Sequence, residues 1–393
     1  MFHKNNTAYL VIITLIIAYV VYWIAFDFMR WDTFDEPSFI GGARMIFGLE
    51  GAFDFQSRIT KPLVLLLPGF MEWAFNIHPK ITFILQNSVL FFLTGWFMYK
   101  SLWLIYREKQ LAFLGFLAFI MCQSYAIYAL MVLSDAAGWF FIVIGIYLSL
   151  KYVSSTNKIR MGIIIALLMA LGIFAKESAV IGMIFFLSIL MTENNAFKHK
   201  IKNVFAYGLI FIICTATIFA AVHLQFGDNI IARVHETHLA TKNDSFHISK
   251  LWQLYSVLDV FWMLFFAGVL WFLRSHKKIN NRFTATGLIA LLISTGLLLL
   301  MPYFVDRILF IIAPLLIILV TYGLIPFSNI SRIVLVVGGG IINILVAWLR
   351  YRHHIPVIEY GMLMYGLLIA SLAMLPVNRK RILALLSRTS GAF

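Results

Sequence analysis

The amino-acid sequence predicts an all-α, polytopic membrane protein with about twelve transmembrane helices, in the range of roughly 11–13. Three observations lead there. Of 393 residues, 62% are hydrophobic and 12% charged, about half the charged fraction of a soluble domain. Apolar runs long enough for helices recur along the whole chain. Basic clusters fill nearly every second gap between those runs, as expected of cytoplasmic loops.

The first run, 8–26, is long enough to span a bilayer, and no small-x-small cleavage pattern follows it. It therefore reads as a retained anchor and not as a signal peptide. Further runs lie at 81–99, 111–133, 136–150, 161–175, 178–192, 204–223, 256–273, 284–304, 308–325, 333–349 and 356–375. The runs 161–175 and 178–192 are short for a span. Basic clusters flank the pair on both sides, however, so an even number of crossings is required and Lys176-Glu177 becomes a tight outer turn. Lys176 and Glu177 could pair with each other across it. Gly338, Gly339 and Gly340 fall inside a run, where they favour close helix packing and do not make a phosphate loop. Cys122 and Cys214 sit in apolar runs and are no disulfide framework.

The net charge of +14 would suggest nucleic acid if it were spread evenly. It is not. Segments assigned to the cytoplasm hold 19 of the 31 Lys and Arg but only two acids, Glu108 and Glu193, leaving 15 of the 17 acids outside. The excess is a topology signal, no nucleic-acid partner is expected, and twelve crossings put both termini in the cytoplasm.

One domain, 1–393, is expected, with two long outer loops at 27–80 and 225–254. Long loops in a compact protein are usually functional or disordered, and the first is too rich in Phe, Trp, Leu and Ile for disorder. Within it, 37–49 and 62–75 read as two interfacial amphipathic helices, with Trp73 as an aromatic anchor.

The outer charges are the candidate functional groups. Asp32, Asp35 and Glu36 open the first loop, and Pro37 puts Asp35 and Glu36 at a helix N-terminus, where the dipole keeps carboxylates ionised as a general base requires. Either acid could instead simply cap the helix. Lys61 precedes Pro62 at the second interfacial helix, an unfavourable place for a cation unless an anion joins it there; snorkelling to lipid headgroups is the plainer role. Asp135 begins a span after Ser134 and could be a cap. Arg307 stands at the outer end of the 308–325 run, where a guanidinium can bind phosphate through two hydrogen bonds or merely anchor to headgroups. His235 and His238 have a spacing one residue short of the H-E-x-x-H zinc motif and suit surface or substrate contact better than metal. Asp259 and Glu359 lie just inside the outer ends of runs, close enough to the interface to be hydrated.

Taken in order, these residues resemble the GT-C superfamily of integral membrane glycosyltransferases, in particular bacterial relatives of protein O-mannosyltransferases and aminoarabinose transferases. The matching positions are Asp35-Glu36, Lys61-Pro62, Ser134-Asp135, Ala175-Lys176-Glu177-Ser178, and Arg307 before Ile308 through Pro314; together they cover roughly residues 8–325. The chain departs from the pattern at Ile308, where the family often has Tyr, and at Leu63, where it often has a second Pro. The resemblance implies a GT-C-like fold in a bacterial inner membrane and a sugar donor carried on a polyprenyl phosphate. It implies an active site on the periplasmic side, a glycan, lipid or protein acceptor, and a possible divalent metal. Asp35 would be the general base with Glu36 assisting, and Lys61, Lys176 and Arg307 would hold the donor phosphate. Asp135, Glu177 and Asp32 would orient substrate, and His235 and His238 would contact the acceptor.

Two other classes fit parts of the pattern. A polysaccharide polymerase or ligase would share the lipid-linked donor and could use the 225–254 loop. A transporter also fits twelve spans, but the runs carry few charges near their middles, where coupled carriers place ionisable groups.

Overall fold

The computed structural model describes residues 6–30, 35–49, 58, 60–193, 196–226, 257–275, 282–299 and 309–352. Among them the chain is helical, with fourteen α-helices. In chain order these are α1 (Asn6–Phe26), α2 (Glu36–Ile46), α3 (Pro62–Phe75), α4 (Pro79–Tyr106), α5 (Lys109–Ile120), α6 (Gln123–Tyr128), α7 (Asp135–Val153), α8 (Lys158–Ile173), α9 (Val180–Thr192), α10 (Phe197–Phe226), α11 (Trp262–Ser275), α12 (Arg282–Leu299), α13 (Ala313–Gly323) and α14 (Asn329–Arg352). Five of these, α1, α4, α7, α10 and α14, include a segment long and apolar enough to cross a membrane. The other apolar helical segments among the described residues are 10–17 residues long. The 225–254 loop and the run at 356–375 lie outside the described residues, as do Asp32, His235, His238, Arg307 and Glu359.

Composition explains which faces are buried. On α1, Ile12, Ile13, Ile16, Ile17, Val20 and Ile24 are exposed, while Val11, Leu15, Tyr22 and Phe26 pack inward. An exposed stripe of that size is stable only against lipid or another apolar surface. Helix α7 lies at the centre, against α4, α8 and α9. Glycines allow the closest approaches. A Cβ on Gly268 of α11 would lie 2.1 Å from the Leu319 carbonyl oxygen, and one on Gly323 of α13 would lie 1.9 Å from that of Leu264. Small residues at a helix crossing bring backbones together in this way.

At the end of the bundle holding the α4–α5 and α13–α14 turns, Arg332 is fully buried. Its Nε donates to Leu324 O (2.8 Å) and its Nη2 to Ile325 O (2.8 Å), capping the C-terminal end of α13; Nη1 donates to Glu108 Oε1 (3.0 Å) at the α4–α5 turn. A cation at a helix C-terminus is favoured by the dipole. The guanidinium thereby ties three helices together.

The apolar run 111–133 does not form the single helix expected of it. Helix α5 stops at Ile120, α6 occupies only Gln123–Tyr128, and an irregular stretch leads to Asp135. Nearly all of 121–134 is buried, which is where non-helical backbone in a membrane protein must lie. Neighbours satisfy its carbonyls. Tyr22 Oη donates to Ile120 O (2.6 Å), and Asn87 Nδ2 donates to Met131 O and to Leu133 O (3.1 Å). Asp259, expected at a hydrated outer edge, is instead 2% exposed, with the Gln123 amide turned to donate to its carboxylate at 2.6 Å. It adopts φ +44°, a left-handed conformation costly for a residue with a Cβ.

Candidate active site

The helices expected at 37–49 and 62–75 form as Glu36–Ile46 and Pro62–Phe75 and pack on each other. A Cβ on Gly69 of α3 would lie 2.3 Å from the Ala43 carbonyl oxygen of α2, so α3 can press against α2 only with glycine there. Arg44 of α2 donates to both carboxylate oxygens of Glu72 of α3, at 2.7–3.0 Å, and Phe47 stacks on Trp73 at 6.2 Å between ring centroids. Trp73 is 59% exposed. The contacts advance together along both helices, so α2 and α3 run side by side in the same direction and their N-terminal ends lie together.

Asp35 occupies the N-cap position of α2, but its side chain makes no capping bond. The carboxylate instead accepts from Arg58 Nη2 at 2.5 Å. Arg58 is held from two further sides: its Nε donates to Ser38 Oγ (3.1 Å), and its guanidinium lies 4.8 Å from the centroid of the Phe39 ring. Glu36, at the first helical position, is buried and pairs with Lys80 Nζ at 2.9 Å. Its other oxygen, Oε2, is buried with no hydrogen-bond partner among the described residues.

Lys61 caps nothing through its side chain and is buried at the N-terminus of α3. Its Nζ reaches Glu177 Oε1 at 3.1 Å. The backbone supports this approach, because Leu63 N donates to Phe174 O (3.1 Å) and joins the start of α3 to the α8–α9 turn. Burial pushes the Lys61 ammonium down to about 8; Glu177 opposes that shift, and the nearby Lys176 and Arg58 charges reinforce it. Glu177 keeps 55% of its side chain exposed and lies below the usual carboxylate range: desolvation of its carboxylate acts to raise it, while the Lys61 and Lys176 charges, a backbone hydrogen bond and the Lys61 hydrogen bond act to lower it.

Lys176 and Glu177 do form a turn between α8 and α9, yet they do not pair with each other. Lys176 Nζ donates to Asp135 Oδ1 at 3.1 Å, a pair buried on both sides. Asp135 is the first residue of α7, and the N-cap residue Ser134 makes no side-chain cap. The turn can come this close because residue 138 is glycine; a Cβ there would sit 2.6 Å from Ser178 Oγ and 2.9 Å from Lys176 Cγ. Asn87 sets the chain direction into Asp135 by binding the carbonyls two and four residues before it. Four residues along, Trp139 Nε1 donates to Phe310 O (3.0 Å), fixing the backbone three residues beyond Arg307.

Six of the expected site residues thus lie in one charged cluster: Asp35 and Glu36, Lys61 and Glu177, Asp135 and Lys176. Electrostatic contact of Lys61 with Arg58 and Lys176 links the pairs. Sequence reasoning missed Arg58, Lys80 and Asn87. Among the described residues no group of three or more His, Cys, Asp and Glu could hold a metal.

No family model matches the chain, and no curated protein matches it in sequence. In structure it resembles a crystal structure of ArnT from Cupriavidus metallidurans bound to undecaprenyl phosphate, with a TM-score of 0.60 at 13% identity. The likeness covers 86% of this chain and 63% of ArnT, so the chain matches less than two thirds of that protein's length. Among the described residues the chain is helical, as expected from the sequence, and its fold is similar to that of ArnT.

Proposed function

We propose that this protein is a membrane glycosyltransferase that moves a sugar from a polyprenyl-phosphate donor to a hydroxyl or amine acceptor at the outer face of the bilayer. The observation that carries the reading is the cluster of acids and cations at the start of α2, α3 and α7, within a fold shared with a protein that binds undecaprenyl phosphate. Anionic phosphate at headgroup depth suits Lys61, with Lys176 and Arg307 adding positive charge. Stabilising negative charge as it develops on a leaving group is commonly the largest catalytic contribution.

In this mechanism Asp35 removes the acceptor proton as the acceptor oxygen bonds to the anomeric carbon. The bond from that carbon to the phosphate oxygen breaks, and its electron pair stays on the polyprenyl phosphate. Glu36 positions the acceptor. Its buried Oε2 lacks a donor, a condition that costs roughly 1–3 kcal/mol, and a hydroxyl or amine donating there would recover it. Asp135, Glu177 and Asp32 orient the reactants, and His235 and His238 contact the acceptor.

The test is to incubate purified protein with a panel of polyprenyl-phosphate sugars and detect release of the lipid phosphate. Asp35→Asn should insert and fold normally and lose transfer by about 10²-fold or more. Near-normal turnover by that variant would rule out Asp35 as the base.

A further inference from the structure

The two lysines of the cluster are partnered in physically different ways. The Lys176–Asp135 pair is closed, with side-chain exposures of 10% and 3%. Neither partner can leave without stranding a buried charge, which is expensive. In the Lys61–Glu177 pair the lysine is 9% exposed but the glutamate is 55% exposed. Glu177 can swing into solvent, whereas Lys61 cannot, and a buried ammonium needs some anion beside it.

We infer that Glu177 is an exchangeable internal anion: it occupies Lys61 in the empty site, yields that position to one negative charge of the donor phosphate, and helps to expel the product. This rests on the proposed reading of the site as a phosphate-binding one. Lys61, Lys176, Glu177 and Asp135 together carry no net charge, so exchanging one carboxylate for one phosphodiester charge leaves the balance near Lys61 unchanged. The reaction then alters the ligand. When the bond between the anomeric carbon and the phosphate oxygen breaks, the diester with one charge becomes a monoester, whose second ionisation lies near ~6 and which therefore carries about −1.5 to −2 at neutral pH. The displaced Glu177, tethered in the adjacent turn, repels this additional charge and competes for Lys61. The device discriminates donor from product by charge alone and needs no contact with the sugar.

The experiment measures binding of two probes to full-length protein in lipid nanodiscs at pH 7. One is undecaprenyl phosphate, and the other is its monoanionic methyl ester. Glu177→Gln retains an oxygen acceptor for Lys61 while removing the charge, and it alters a half-exposed side chain; a thermal-unfolding scan checks that the fold is kept. Glu177→Gln should tighten undecaprenyl phosphate about three- to fivefold, the scale of a half-exposed charge interaction, and tighten the methyl ester less. Lys61→Ala should weaken both probes. If Lys61→Ala binds both like the wild type, the phosphate-site reading fails and this inference falls with it. If Lys61→Ala weakens binding but Glu177→Gln does not tighten it, Glu177 is no competitor, while the phosphate site stands. Equal tightening of both probes would overturn the selection by charge.

Discussion

Removing Asp135 should destabilise the protein more than neutralising Glu177, although both acids pair with a lysine at the same 3.1 Å. At that distance, with an effective dielectric near 20, the attraction between unit charges is about 5 kcal/mol. Its effect on stability depends on the surroundings of the charge that remains when one partner is removed. In Asp135→Ala, Lys176 remains 8% exposed beside Ser178 and Gly138, too enclosed to recover its hydration. The expected loss is about 3–5 kcal/mol. In Asp135→Leu combined with Lys176→Met no charge is stranded, and most of the loss should be recovered. Glu177→Gln leaves the buried Lys61 without its anion but keeps a neutral acceptor beside it, so a smaller loss of about 1–3 kcal/mol is expected. Equilibrium unfolding in mixed micelles, followed by tryptophan fluorescence, would measure the wild type and these three variants. Comparable small losses for Asp135→Ala and Glu177→Gln, or a double variant less stable than Asp135→Ala, would refute the distinction between a closed pair and an exchangeable one.

Gly138→Ala should cost about 1–3 kcal/mol by overpacking, because its Cβ would meet Ser178 Oγ at 2.6 Å; adding Ser178→Gly should restore part of the loss in the same unfolding assay. Arg332→Met should lose roughly 3–5 kcal/mol by stranding Glu108, and Arg332→Lys should recover little of it, since an ammonium cannot repeat the fork to Leu324, Ile325 and Glu108. Binding of undecaprenyl phosphate should weaken as pH rises through about 8, where Lys61 loses its proton in the surroundings set by Glu177, Lys176 and Arg58. The sign comes from the depressed value: the cation is present below about 8 and neutral above it. A binding curve flat to a pH of about 10, near the ordinary lysine value, would remove Lys61 from the phosphate site.

The parts of this architecture that local chemistry dictates were legible in the sequence. Pro37 following Asp35-Glu36 marks the start of α2, Pro62 following Lys61 marks the start of α3, and charge alternation alone identifies the Lys176-Glu177 turn. What the sequence hides is partnership over distance. Lys176 pairs with a residue 41 positions away and not with its neighbour, because the open side of Gly138 admits the turn against α7. Arg58 and Lys80 carry no local signal, being two cations in a long, largely apolar loop until folding brings them to Asp35 and Glu36. The break after Ile120 was equally hidden. Hydropathy runs through it unbroken, and donors on Tyr22 and Asn87, from other helices, help to satisfy the non-helical backbone.

Pairing is a condition for burying these ions at all, so an ion pair by itself cannot mark which residues react. Exposure and unsatisfied capacity divide the cluster more finely. Asp135 and Lys176 are both enclosed, which suits a fixed platform for the turn. Glu36 is enclosed, yet one oxygen has no donor among the described residues, which suits a residue completed by substrate. Lys61 is enclosed with a partner that can leave, which suits a site completed by an anion. Asp35 is the demanding case, because a carboxylate held at 2.5 Å by Arg58 is a weaker base than an isolated one. Proton abstraction there would require the Arg58 contact to lengthen as acceptor arrives, with Ser38 Oγ and the Phe39 ring retaining the guanidinium nearby. Arg58→Lys keeps the charge but not this grip, so it should shift the acid limb of the pH–rate profile while leaving phosphate binding unchanged. An unshifted acid limb would mean that Arg58 does not govern Asp35.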